Sequence, residues 1–198
     1  MCGRYYLEVR DPGEDLLAIL QTLNRRGVAC KTGEIFPTDT VAVIANSRRL
    51  QPMPFAMTWG YTLPGGWRVI NARSETAASS PLFADGMRQR RCLIPAVRYD
   101  EWERRGREKV RYAVRPADSS RFFMAGIYRM EQGGPVFTIL TRSSAECIAF
   151  IHDRMPVILP DALVEAWLSP AADPETILHA AVSDVEFGAL LPTRTAKN

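Results

Sequence analysis

Cys92-Leu93-Ile94-Pro95-Ala96-Val97-Arg98-Tyr99-Asp100-Glu101-Trp102, answered by Val110-Arg111-Tyr112-Ala113-Val114-Arg115, is the stretch on which the fold turns. Both runs are rich in apolar, β-branched and aromatic residues, and a polar tip holding Arg104, Arg105 and Gly106 separates them, so they read as a hairpin. A second hairpin follows over residues 122–130 and 136–141, folded around Gly133-Gly134. Upstream, residues 41–45 and 55–59 read as strands, the latter ending at Gly60. Pro64-Gly65-Gly66 makes a turn, and residues 68–73 read as a strand running into a loop. Helical spacing appears over 15–23, at Leu16, Leu17, Ile19, Leu20 and Leu23, with Gly27 as a stop. Further helices are expected over about 80–89, 144–151, 161–168 and 174–181, and a strand over 156–159. Short hairpin-connected strands with scattered helices predict an α+β fold: a single domain over 1–198, with a mostly antiparallel, barrel-like β-sheet and peripheral helices.

Composition narrows the function. With 198 residues and no run of about 18 apolar ones, the chain is expected to be a soluble, cytoplasmic protein without membrane partners. Cys2, Cys30, Cys92 and Cys147 are far apart in sequence, with only His152 and His179 beside them, so neither a zinc site nor a disulfide framework is expected. Cys30, Cys92 and Cys147 read as reduced core or near-core residues. The net charge of +3 is mild, but residues 88–111 hold nine basic against four acidic side chains. From 153 onward seven acids face three bases, so a basic partner surface, if there is one, belongs to the middle of the chain. A solvated face of an arginine-rich protein fits the same pattern.

Four polar residues break the pattern around them. Alternation along 92–102 puts Leu93, Pro95, Val97, Tyr99 and Glu101 on one face, so a carboxylate ends an apolar row. Glu101 is either partly desolvated, which raises a carboxyl toward proton exchange near neutrality, or a strand-end residue turned to solvent. His152 directly follows the helix expected over 144–151, where a C-terminal partial charge favours imidazolium; a plain helix cap fits equally. Asn71 is an amide among apolar neighbours, needing partners if buried or serving a turn. Cys2, once Met1 is removed, becomes a 1,2-aminothiol, with an amine near about 7.7–8.0 and a thiol near about 8.5. Such a group condenses with an aldehyde to an imine, which the thiol closes to a thiazolidine. Gly3 leaves close approach open. A small buried hydrophobe is the plainer reading of Cys2.

Met1-Cys2-Gly3-Arg4-Tyr5, Asn71-Ala72-Arg73-Ser74-Glu75-Thr76, Arg91-Cys92-Leu93-Ile94-Pro95-Ala96 leading to Glu101-Trp102, and His152-Asp153-Arg154-Met155-Pro156-Val157-Ile158-Leu159 together closely resemble the SOS response-associated peptidase (SRAP) family. The resemblance implies a protein that loses Met1, by its own peptidase action or otherwise, and traps abasic sites in single-stranded DNA through Cys2. Lyase-type chemistry at such sites is a further implication. In that family the residues matching Cys2, Asn71, Glu101 and His152 form the active site, and those matching Arg4 and Arg73 contact the DNA backbone. Pro37, Thr38, Trp102, Thr141 and Ser143 fall where the family lines its DNA groove, and Trp67 or Trp102 could stack on bases. No cofactor or metal is implied, and a monomer that joins the nucleoid when bound to DNA is expected. The chain departs from the family at Arg98-Tyr99-Asp100-Glu101-Trp102, where Gly-Phe-Tyr-Glu-Trp is usual, and in the loop with Gly65-Gly66-Trp67. Two other readings of the same residues are a cysteine peptidase or amidase acting on external substrates through Cys2 and His152, and a non-catalytic single-strand binding module.

Overall fold

The computed structural model describes residues 2–8 and 29–190, so the helix expected over 15–23 lies outside the described residues. Strands β1 (Tyr5–Leu7), β2 (Gly33–Ile35), β3 (Thr40–Asn46), β4 (Pro52–Trp59), β5 (Tyr61–Thr62), β6 (Arg68–Val69) and β7 (Asn71–Arg73) come first. Two short helices, α1 (Ser74–Ala77) and α2 (Ala84–Gln89), lead into β8 (Arg91–Ala96), β9 (Arg98–Arg105), β10 (Glu108–Pro116), β11 (Phe122–Glu131) and β12 (Gly134–Ser143). The chain then runs through β13 (Arg154–Pro156), β14 (Ile158–Leu159), α3 (Val164–Leu168), α4 (Pro174–His179) and β15 (Val185–Leu190).

Five strands in the order β12-β4-β3-β8-β11 close on themselves, because β11 also pairs with β12. This is the barrel-like α+β architecture that the hairpins predict. The β4–β12 seam is parallel, Val136 opposite Thr58, while the other pairings around the ring are antiparallel. The interior is tight at Gly126, where a Cβ would stand 2.2 Å from Ile94 Cδ1 and 3.0 Å from the Thr138 carbonyl oxygen. A second sheet, β15-β10-β9-β1-β2, packs beside the barrel and shares its core through Tyr5, Tyr99 and Trp59.

The run 92–102 is therefore not one strand but two, in different sheets. At Val97 the backbone leaves its ladder with β11, and the Val97 N–H donates to Tyr6 O at 2.9 Å, handing the chain to β1. All six residues of β8 are buried, because the barrel lies on one side and α3 on the other. In β9 three consecutive residues, Tyr99, Asp100 and Glu101, are buried. There is no single shared face from Leu93 to Glu101, and of the two readings open for Glu101 the structure shows the buried one.

Other expectations change as well. Where an α-helix was expected over 144–151 there is one 3-10 turn, Glu146–Ile148, so His152 has no α-helix dipole behind it. The strand expected over 68–73 breaks at Ile70, whose carbonyl is taken by Trp59 Nε1 at 2.9 Å. Cys147 is exposed, not near-core, whereas Cys92 is buried and Cys30 intermediate. β1, β2 and β15 were not foreseen; the first two are three residues long, too short to show a period, and β15 exposes most of its residues.

α3 is fastened by an unusual device. Arg91 is buried and forms no ion pair among the described residues; its Nε donates to Trp167 O at 2.7 Å and its Nη1 to Met87 O at 3.0 Å. Its Nη2 donates to Ser169 O and, at 3.3 Å, to Ala172 O. The guanidinium lies over the Trp167 ring, and Trp167 Nε1 returns a bond to Cys92 O at 3.0 Å. One planar cation thus satisfies the carbonyls that end α2 and α3.

Candidate functional site

The elements bring four distant segments to one place. β1 runs antiparallel to β9, Tyr5 opposite Tyr99, and the Asp100 N–H donates to Arg4 O at 2.9 Å, so the register carries Cys2 and Gly3 alongside Glu101 and Trp102. β7 pairs in parallel with β12, Asn71 opposite Ile139; Ala72 turns into the core, leaving Asn71 and Arg73 on the other face. Asn71 Nδ2 donates to Cys2 O at 2.8 Å across 69 residues of sequence. Its Oδ1 is buried and has no partner among the described residues. An acceptor left open beside Cys2 is a place for an N–H of a substrate or of the processed terminus.

Burial pushes the Cys2 thiol far above its ordinary value, and the negative charge of Glu101 adds to the effect. The thiol is fully buried and donates to Arg4 O at 3.8 Å, so in this state it carries its proton. Glu101 is itself raised, first by burial, with the charge of His152 pulling the other way. The negative charge on either group works against charging the other, so the thiol and the carboxyl resist being ionised together.

His152 sits in the turn before β13. Its Nδ1 accepts the Arg154 N–H at 3.0 Å and also lies 2.8 Å from Asp153 Oδ1. One nitrogen cannot accept and donate at once. The backbone N–H is fixed by the turn, whereas the Asp153 side chain is 85% exposed, so the backbone contact governs and Nδ1 serves as the acceptor.

The DNA-contact candidates are placed unevenly. Arg73 is exposed and makes no ion pair among the described residues, and Ser143 is exposed at the end of β12. Ser143 lines a cleft of about 440 Å³ with Ser74, Arg142 and His179. Trp67 is 76% exposed, carried on a turn that needs Gly65 and Gly66 at φ 85° and 81°. Arg4 is clamped: its guanidinium stands 4.5 Å from the Phe36 ring and 4.8 Å from the Trp102 ring, and Nη1 reaches Glu34 at 3.3 Å. Thr141 departs from expectation, being buried with its hydroxyl on Ala72 O at 3.4 Å; it braces β7 instead of lining a groove.

Pro37 and Thr38 form a turn in which the Asp39 N–H donates to Phe36 O at 3.1 Å and Thr38 has φ 78°. That is the second corner of a type II turn, a glycine position held by a β-branched residue. Thr38→Gly is expected to leave Tm unchanged or higher in a thermal melt. Relief of about 1–3 kcal/mol of backbone strain meets about 0.5–1 kcal/mol of added glycine entropy. A clear fall in Tm would mean that the threonine side chain is packed, not strained.

Sequence reading missed the supports. Glu34 bridges Arg4 and Arg111, and Arg111 binds the fully buried Asp100, which Arg98 also meets at 3.2 Å. Much of the basic middle segment is therefore spent internally: Arg90, Arg91, Arg98, Arg105 and Arg111 all have protein partners. Arg154 grips both oxygens of Glu75, at 2.7 and 2.8 Å, and donates to Thr141 O at 2.6 Å. Bonding to Arg154 holds the Glu75 carboxyl at about 2 against an ordinary 4.5. Its stabilisation is thus complete above about pH 4.5 and lost as pH falls toward 2. Because Glu75 is half exposed, that contribution is under about 1 kcal/mol. Wild type should lose more Tm than Glu75→Gln between pH 6 and pH 3; equal losses would show the pair to be inert.

Among the described residues no group of three His, Cys, Asp or Glu could hold a metal ion, and no helix is long and apolar enough to cross a membrane. The family model described as SOS response associated peptidase (SRAP) matches residues 1–190. The abasic site processing protein YedK of Escherichia coli is 34% identical over 179 residues, 85% of this chain and 79% of that protein. The abasic site processing protein YoqW of Bacillus subtilis is 33% identical over 153 residues, 71% of this chain and 68% of its own. A crystal structure from Bacteroides thetaiotaomicron superposes with TM-score 0.74 at 20% identity, covering 100% of this chain and 95% of that one. One from Bordetella bronchiseptica gives 0.75 at 22%, covering 96% and 100%.

Proposed function

This chain belongs to the SOS response associated peptidase family, and from that premise we propose that it captures abasic sites in single-stranded DNA covalently, through a thiazolidine formed by Cys2 after removal of Met1. The observation that carries the reading is the convergence on Cys2: Asn71 bonds its carbonyl, and Glu101 acts on its thiol from an adjacent strand. Relatives named as abasic site processing proteins supply the substrate class.

The open form of an abasic sugar is an aldehyde. The Cys2 amine adds to its carbon and water leaves, giving an imine; the thiol then adds to the same carbon, its proton passing to nitrogen through Glu101. Two bonds to carbon form, the carbonyl oxygen departs as water, and nothing is oxidised or reduced. His152 serves the opening of the closed sugar as general acid–base: the C1′–O4′ bond breaks, the ring oxygen takes up a proton and the C1′ hydroxyl gives one up as it becomes the aldehyde. Asn71 Oδ1, unpartnered among the described residues, accepts the N–H of the amine and later of the adduct. Arg73 and the clamped Arg4 hold phosphates, which makes binding sensitive to salt. Removal of Met1 by hydrolysis at the same site is part of the proposal.

The test is intact mass. The purified chain should lack Met1, and incubation with an abasic oligonucleotide should add the strand less one water, surviving denaturant. Absence of that adduct with wild type, or an equal and equally stable adduct with Cys2→Ser, would overturn the proposal. Equal affinity for intact and abasic strands, with no dependence on Cys2, would leave a plain binding module.

A further inference from the structure

The candidate site uses one end of a row of side chains that runs further across the second sheet. Glu101 on β9 stands opposite Tyr112 on β10, which stands opposite Ala189 on β15. One pair along, Tyr99 faces Val114 and Val114 faces Phe187, so Glu101, Tyr112 and Phe187 share a face. Phe150, two residues before His152, closes over this row. Its ring centroid is 5.7 Å from that of Tyr112 and 5.4 Å from that of Phe187, and Tyr112 and Phe187 are 6.0 Å apart. Three rings meet edge to face, and two of them are open to solvent: Phe150 is 51% exposed and Phe187 42%.

An aromatic pair left half in water has a cost that packing does not explain. Trp67, the other large aromatic exposed among the described residues, has no ring contact there. The cluster is also not purely apolar. Arg105 Nη2 donates to Tyr112 Oη at 2.9 Å and is itself about half exposed, and Arg104 and Arg107 are exposed at the same hairpin tip. Rings beside arginines, in the same row as Glu101, match what an unpaired strand presents, π-faces alternating with phosphates. Cross-strand spacing of about 5 Å puts the phenylalanines roughly 10 Å beyond Glu101. That is two or three stacked nucleotide steps of about 3.4 Å, or fewer in an unstacked strand.

We propose that Phe150 and Phe187, backed by Tyr112, form a stacking subsite for a nucleobase flanking the captured abasic nucleotide on the same strand. This rests on the reading that a single strand lies across the site, but not on the covalent step. It makes the neighbouring base, absent from the reaction itself, a determinant of which lesions are held.

The test uses the full chain and a strand carrying tetrahydrofuran, an abasic analogue without the aldehyde, so that only non-covalent affinity is read. Two further strands replace three bases on the 5′ side or on the 3′ side with the same analogue. Phe150→Ala/Phe187→Ala should bind the first strand about tenfold more weakly than wild type. On one of the two base-deleted strands wild type should fall to the variant's level and the variant should fall no further. Phe150→Tyr/Phe187→Tyr should restore the affinity. Unchanged binding by the alanine variant would overturn the subsite, leaving the rings as a surface for a protein. A deficit that persists on both base-deleted strands would also overturn it, because no base would be involved. If wild type still forms the covalent adduct with a true abasic strand in either case, only the subsite falls. If no adduct forms yet the base-dependent deficit is seen, the subsite stands and the capture proposal falls.

Discussion

Glu101→Gln should form the DNA adduct about 10²–10⁴ times more slowly than wild type and yet melt at a higher temperature near neutral pH. The first effect is the usual worth of a positioned proton acceptor. Glutamine keeps the volume and the acceptor oxygen, so positioning of Cys2 survives while proton transfer does not. The second effect follows from linkage. Burial raises the Glu101 carboxyl, so the folded protein binds this proton more tightly than the unfolded chain does. Stability is therefore highest at or below the ordinary carboxylate value of about 4.5 and declines as pH rises through the raised folded value. Glutamine carries no charge to desolvate and escapes the decline. The pH profile separates this from a structural role: wild-type capture should rise with pH as Glu101 deprotonates, and the variant should lack that limb. A variant that is slow but keeps the limb would assign the proton transfer elsewhere.

Arg91→Ala is expected to destabilise the fold by about 3–5 kcal/mol, enough to lower Tm by roughly 8–15 °C in a domain of this size. The loss has three sources: a cavity between β8 and α3, four carbonyl oxygens left without their donor, and a Trp167 ring deprived of its cation. Arg91→Lys should recover only part of it, because three donors on one atom cannot span the fan of carbonyls that the planar fork reaches. Denaturant unfolding followed by tryptophan fluorescence measures both. A loss under about 1 kcal/mol for alanine would mean that water takes over these carbonyls.

The hairpins at Gly106 and Gly133 were legible because strand length, alternation and turn residues all act locally. The break at Val97 was not, since it depends on which distant strand receives each N–H: β11 before that residue and β1 after it. Glu101 showed itself as a carboxylate ending an apolar row, but that row left open whether it is desolvated or turned to solvent, and only the fold decides for burial. His152 was noticed for a wrong reason, an α-helix end that is a single 3-10 turn. Asn71 was visible as an amide out of place, but its bond to Cys2 spans 69 residues that no local pattern joins. The Phe36–Arg4–Trp102 stack and the Glu34–Arg111–Asp100 ion pairs were invisible for the same reason: they join residues far apart in sequence.

β12 meets β4, β7, β11 and β13, four ladders on a ten-residue strand. Two of these partners, β4 and β7, lie more than sixty residues upstream and run parallel to it, so closing the ring through β4 and docking β7 both wait for encounters between distant parts of the chain, which are slow to nucleate. During refolding, the two hairpins can zip early while Asn71 still drifts without a neighbour. Competence to trap an aldehyde should then return with the final kinetic phase, after most of the circular dichroism signal has recovered.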